Sequence, residues 1–163
     1  MKILVTVLLA AVLIVVVFLA FLSWMSKPPR TGLEHGRLRP CPATPNCVNS
    51  EEGTDQEHRI KPLRLKPAGE PGWVLLKEAV ALEGGRILEE KPGYLHAVWI
   101  SRWFRFVDDV ELRLDGAGGV LQVRSASRVG HSDLGVNRKR IEALRQRLQL
   151  LQEEAGRRSI RRP

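Results

Sequence analysis

The chain has 163 residues, a net charge of +8 and an isoelectric point near 10.2, with only two cysteines. This length allows one domain behind any N-terminal segment, and two cysteines exclude a fold built on a disulfide framework. The basicity is local: residues 136–163 carry nine basic and three acidic side chains, whereas residues 24–135 carry 16 and 15. A generally basic nucleic-acid-binding body is therefore not expected.

From Ile3 to Leu22 every side chain is apolar except Thr6. About twenty such residues at ~1.5 Å rise span the ~30 Å hydrocarbon core of a bilayer, so residues 3–22 are expected to contact lipid. Trp24 falls where a ring meets the headgroups, with Lys27 and Arg30 just beyond. A cleaved signal peptide is the competing reading. Its apolar region is shorter, roughly 7–15 residues, and ends in small residues, whereas this run ends Phe21-Leu22-Ser23-Trp24-Met25. We therefore expect an uncleaved anchor over residues 1–25, as in a single-pass protein of a bacterial inner membrane. Lys2 argues that the amino terminus stays inside, while Lys27, Arg30, Arg37 and Arg39 pull the other way. Charge alone slightly favours a cytoplasmic domain; the cysteines favour an extracytoplasmic one.

Residues 26–39 read as a linker, and eight of the ten prolines fall between Pro28 and Pro71. Cys41-Pro-Ala-Thr-Pro-Asn-Cys47 is a stiff turn that allows a local disulfide or two free thiols. Its spacing suits neither a zinc knuckle nor a redox pair, so neither a metal nor a cofactor is expected.

Folded structure is expected to begin at Trp73, where Trp73, Leu76 and Val80 repeat at helical spacing up to Gly84-Gly85. Four strands follow: Arg86 to Glu90, Tyr94 to Ile100, Phe106 to Leu114, and Val120 to Ser127, joined by short turns that imply antiparallel pairing. A last helix runs from about Gly135 to Glu154, with Ile141, Leu144, Leu148 and Leu151 in one stripe, Asn137 at its start, and Ser132 or Asp133 as N-cap. The expected fold is α+β: a two-layer domain over residues 40–155 with a four-stranded antiparallel meander flanked by two helices on one face. Residues 156–163 form a basic tail, expected to be mobile.

Two segments carry candidate chemistry. In the strand after Phe104, Asp108 shares a face with Phe106, Val110, Leu112 and Leu114, while Asp109 and Glu111 point the other way with Arg105 and Arg113 unless a bulge intervenes. A carboxylate on an apolar face needs an arginine partner or serves as a catalytic group. The second segment, Val123 to Asn137, leads from a strand through a glycine loop into a helix N-terminus. There Arg124, Arg128 and Arg138, with Ser125, Ser127, Ser132, Asp133 and Asn137, are candidates for an anion site or for a structural network. Glu111 opposite Arg124 would neutralise one arginine across the strands. A Ser–His–Asp set using His131 with Ser127 and Asp108 or Asp109 can be assembled, but no nucleophile-elbow sequence accompanies it. His35 and His58 lie in the irregular lead-in; His96 reads as a packed strand residue.

Cys41-Pro-Ala-Thr-Pro-Asn-Cys-Val-Asn-Ser50, Phe104-Arg-Phe-Val-Asp-Asp-Val-Glu111 and Arg124-Ser-Ala-Ser-Arg-Val-Gly-His-Ser-Asp-Leu-Gly-Val-Asn-Arg138 resemble, in order, three signatures of the domain-of-unknown-function 1499 family. The likeness covers roughly Pro40 to Leu148 and implies that the cysteine segment is ordered on the domain. It implies no activity. The expected function is a non-enzymatic module, held at the membrane, for a partner protein or a small anionic ligand. A hydrolase using Asp108 or Asp109 with His131 or Ser127 is the alternative. Weak nucleic-acid or anionic-lipid binding through the last helix and tail comes after it, nucleic acid not being expected.

Overall fold

The computed structural model describes residues 2–25, 30–116 and 118–160. Helix α1 (Lys2–Met25) is long and apolar enough to cross a membrane, and none of its Lys2–Phe21 window is buried by the protein. A signal sequence has the same features. The Trp24 side chain, Lys27, Arg161 and Arg162 lie outside the described residues.

After a small hairpin, β1 (Leu33–Glu34) and β2 (Arg37–Leu38), come β3 (Cys47–Asn49) and β4 (Leu63–Arg64), helix α2 (Glu70–Leu82), and the strands β5 (Arg86–Lys91), β6 (Tyr94–Ile100), β7 (Val107–Asp115) and β8 (Val120–Ser127). Helix α3 (Val136–Ile160) closes the fold and runs about two and a half turns past Leu151, the end of the leucine stripe. The four-stranded meander needs correction, because the sheet has six strands. Its order is β3-β8-β7-β6-β5, with β4 also on β8, and all pairs are antiparallel. The two additional strands are three and two residues long. Neither is long enough to display a period of two, and both sit in the proline-rich lead-in.

Helices α2 and α3 cover one sheet face. Trp73, Leu76 and Val80 of α2 and Ile141, Leu144 and Leu148 of α3 pack on Leu95, Ala97, Val110, Leu112, Leu121 and Val123. Burying each large aliphatic contributes roughly 1.5–3 kcal/mol, so this layer supplies the main drive to fold. Proline at the first turn of α2 fits its missing N–H, and Gly84 (φ 81°) ends the helix in a left-handed conformation. The register of β7 against β6 and β8 is continuous from Val107 to Asp115, without a bulge at Asp108-Asp109. Asp108 therefore faces the helices, and Asp109, Glu111 and Arg113 face away.

That second face is not open to water. The β1–β2 hairpin lies against β7 and β8, the Gly32 N–H donates to Glu111 Oε1 (2.7 Å), and the Leu38 N–H donates to Glu51 Oε1 (3.0 Å). Cys41 and Cys47 are disulfide-bonded (S–S 2.00 Å), and Cys47 is buried on β3 opposite Ala126.

Packing at the end of α2 yields a first test. A Cβ on Gly85 would stand 2.5 Å from the Trp99 indole and 2.8 Å from Val80. Gly85→Ala is expected to destabilise the chain by about 1–3 kcal/mol through overpacking, read as a lower urea midpoint with an unchanged slope in detergent.

Candidate functional site

The three signature segments, far apart in sequence, become neighbours in the sheet. β8 is the middle strand, with Cys47 of β3 on one side of Ala126 and Asp109 of β7 on the other. Alternation along these strands then divides their polar side chains between two opposite faces.

On the helix side, Asp108 Oδ2 accepts from Arg140 (2.5 Å), whose guanidinium also lies 5.6 Å from the centre of the Trp99 ring. Arg140 donates to Asn137 Oδ1 (2.7 Å), which also accepts from Ser125 Oγ (2.5 Å). Asn137 Nδ2 donates to Ser127 Oγ (2.9 Å) and to the Asn46 carbonyl (3.0 Å), and Asn46 Nδ2 reaches the Gly130 carbonyl at 2.7 Å. Ser125 and Asn137 are fully buried. A carboxylate, two amides and two serines are thus joined into one lattice that ties α3 to β3, β7 and β8. Sequence reasoning missed Arg140 and Asn46. Arg140 follows Asn137 by three residues on α3, and that spacing was the available signal for it.

On the other face Asp109 is fully buried and receives both Nε (2.8 Å) and Nη2 (2.9 Å) of Arg128, with His96 Nε2 at 2.8 Å. Burial alone would raise its pKa, but the Arg128 and His96 hydrogen bonds outweigh burial and hold the carboxyl below its ordinary range. Glu111, also fully buried, accepts from Arg124 (2.9 Å), Tyr94 Oη (2.8 Å) and the Gly32 N–H. Burial and the Glu111 charge push the Tyr94 phenol well up, so it stays a donor. Arg113 completes the row on Glu51, at 2.8 and 3.0 Å. The cross-strand pair Glu111–Arg124 stands where the sequence places it; Tyr94, His96 and Glu51 are further members without a motif of their own.

The remaining candidates lie in loops or on α3. Asp133 caps α3, accepting from the Gly135 and Asn137 N–H groups at 2.9 and 2.7 Å, so the protein's own carboxylate occupies the helix N-terminus. Ser132 Oγ accepts from the Leu134 N–H. Arg138 donates to the carbonyls of Arg59 (2.7 Å) and Glu57 (2.8 Å). Arg105 is exposed at the β6–β7 turn with φ 56°. His131 is exposed, and among the described residues no hydrogen bond joins it to Ser127, Asp108 or Asp109. Nor is there a group of three His, Cys, Asp or Glu side chains able to hold a metal among the described residues. The arrangement can orient and stiffen the domain, and it brings no serine onto either His96 or His131.

An open groove of about 1340 Å³ lies between α3 and the 50–66 segment. Arg138 and Arg145, two turns apart on α3, hold this segment by its carbonyls at residues 57, 59, 61 and 62. Buried Ile60, Leu63 and Leu148 line the groove, and Lys61, Arg64, Gln149 and Glu153 rim it. Much of the basicity of α3 is accounted for in the same way. Arg138, Arg140, Arg145 and Arg147 are all engaged inside the domain, Arg147 with Glu83 at 2.8 Å.

His58 anchors the outer wall of this region. The buried ring takes Asp55 on Nδ1 (2.8 Å) and the Thr44 carbonyl on Nε2 (3.2 Å), so both nitrogens act as donors. Burial opposes the charged ring, but the bonds to Asp55 and Thr44 prevail and raise its pKa, while its hydrogen bond lowers that of Asp55. A raised folded-state pKa gives stability that is complete below the unfolded value, about 6.5, and fades as pH climbs through the folded one. The melting temperature of the chain is therefore expected to fall as pH rises above about 6.5, and His58→Gln is expected to flatten that decline in a pH series of thermal melts. In the outer row, Glu111→Gln leaves Arg124 buried without its counter-charge and is expected to cost about 3–5 kcal/mol. Loss of the Asp133 cap in Asp133→Ala costs about 1 kcal/mol. Urea denaturation of the two variants checks the ranking.

No curated protein and no solved structure matches the chain. The family described as "Protein of unknown function (DUF1499)" matches residues 37–148, from the end of the β1–β2 hairpin to the last leucine of the core-facing α3 stripe. That span holds all three signature segments together with the sheet and helices that bring them side by side, and on this match the chain belongs to the DUF1499 family.

Proposed function

We propose that this protein is a non-enzymatic module, kept at a bacterial inner membrane by α1, that binds a partner protein along the groove between α3 and the 50–66 segment. The observation that carries this reading is the contrast between two sets of polar groups. The signature segments direct their charges at one another, whereas Lys61, Arg64, Gln149 and Glu153 on the groove rim have no side-chain partner among the described residues. Both signs of charge and an amide along an open channel suit an extended polypeptide better than a phosphate, for which a concentrated positive field is wanted. Small-molecule sites are more enclosed and more apolar. The small-anion reading is weakened because the α3 N-terminus already holds Asp133, and the nucleic-acid reading because Arg138, Arg140, Arg145 and Arg147 of α3 are engaged.

The retained anchor is supported by a run longer than a signal peptide's and by its large terminal residues. The Cys41–Cys47 disulfide supports an extracytoplasmic domain, since such bonds persist in oxidising compartments.

A photo-reactive residue placed at Gln149 in membranes is expected to give one discrete protein adduct, lost in the Lys61→Glu, Glu153→Lys double variant. The same label at Arg86, on the far sheet edge, is expected to give none. Equal labelling at both positions, or an adduct indifferent to the rim charges, would sink the groove assignment. Carbonate extraction checks the anchor: the full chain is expected in the pellet, and a soluble chain shortened by its first two dozen residues contradicts it.

A further inference from the structure

The end of the sheet where β6 meets β7 and β8 meets α3 carries apolar side chains that nothing inside the domain covers. The Ser101 N–H donates to the Phe106 carbonyl (2.8 Å) and the Phe106 N–H to Ser101 Oγ (2.9 Å). These two bonds close a neck and project the tip Arg102-Trp103-Phe104-Arg105. Trp103 is 76% exposed with the Arg102 guanidinium 5.6 Å from its ring centre, and Phe104 stacks on Phe106 at 5.6 Å. The neighbouring β8–α3 loop is joined to the base of this one by the Arg128 N–H on the Val107 carbonyl (3.1 Å). It presents Leu134, 87% exposed and held at φ 54°, followed by exposed Val136. A leucine in the left-handed region is strained, and at this exposure it recovers none of that by burial. Domain stability does not account for it.

The chemistry and position of this end identify what would cover it. Between residues 101 and 107 there is no acidic residue, and in the 128–136 loop the one carboxylate, Asp133, is taken up by the N–H groups of Gly135 and Asn137. Tryptophan, phenylalanine and leucine beside arginine form the composition that settles at the headgroup boundary of a bilayer, with rings at the acyl edge and guanidinium groups among phosphates. A bilayer is also within reach. Gly32 is fixed to Glu111, and only six residues separate it from the end of α1, at most ~25 Å of extended chain. Glu111 lies four residues, or roughly 13 Å, from the start of β7, beyond which the tip projects.

We infer that the 101–106 and 128–136 loops form a second, peripheral membrane contact: Trp103, Phe104 and Leu134 enter the interface of the bilayer that holds α1, and so fix which way the groove faces. This inference rests on α1 remaining in the membrane. The test uses the full chain with Leu134→Cys carrying an environment-sensitive fluorophore, in vesicles of phosphatidylcholine and phosphatidylglycerol, beside a Leu88→Cys control on β5. Label at 134 is expected to be quenched by nitroxide lipids and several-fold less by aqueous iodide than label at 88. Trp103→Ser with Phe104→Ser is expected to abolish that difference while the chain still floats with the vesicles. Equal iodide access at 134 and 88 in floating vesicles overturns the loop contact and leaves the anchor standing. Shielding that appears only as the protein-to-lipid ratio rises identifies a second copy as the occupant and also overturns it. A chain that does not float overturns the anchor and the loop contact together.

Discussion

Burying charge inside a small protein is costly unless it meets an opposite charge, and the outer face of β7 meets that requirement three times in succession. Asp109, Glu111 and Arg113 alternate with the core residues Val110 and Leu112, and each finds an oppositely charged partner on a different element. Glu111 is the strictest case. Its two oxygens accept from β8, from β6 and from the backbone at Gly32, so one carboxylate holds two neighbouring strands and the lead-in. Buried pairs of this kind contribute little net stability compared with apolar packing, but they penalise any arrangement that separates the partners. The hydrophobic layer under the helices drives collapse; the outer row specifies which strands and which hairpin lie together.

The same constraint shapes what the domain can do. Residue types that suggest catalysis when read in isolation, a pair of aspartates, several serines and a loop histidine, are divided between opposite sheet faces, and most of them are committed to stiffening the structure. What remains available lies elsewhere, along the groove beside α3 and at the apolar end of the sheet. The first offers mixed polar groups in an open channel, and the second offers exposed rings and a leucine beside guanidinium groups. These surfaces differ in chemistry as a polypeptide differs from a lipid headgroup layer.

The lead-in connects these observations. A flexible spacer between anchor and domain would let the domain tumble at the membrane. Here the β1–β2 hairpin packs on the sheet, Gly32 is bonded to the buried row, and the disulfide loop continues into β3, the next strand beside β8. From Gly32 onward the lead-in is therefore part of the folded domain.

How much of this could be read from residues alone depends on the range of each interaction. The membrane-length helix, strands β5 to β8, α2 and α3 follow from apolar run length, from alternation and from 3.6-residue spacing. The Asp133 cap and the Glu111–Arg124 pair follow from local rules of the same kind. Strands β3 and β4 did not, because two or three residues carry no period and their partner lies about 60 to 80 positions away in β8. Nor did the identity of Asp108's partner, since several arginines were eligible by charge and only packing of α3 on the sheet places Arg140 beside it. The sequence by itself determined the element types, the two faces of β7 and the long apolar N-terminal helix, all set by neighbours a few residues apart. Tertiary structure alone decided the two short strands β3 and β4, the covering of the second face and the partner of Asp108, because those depend on which distant segments exclude water together.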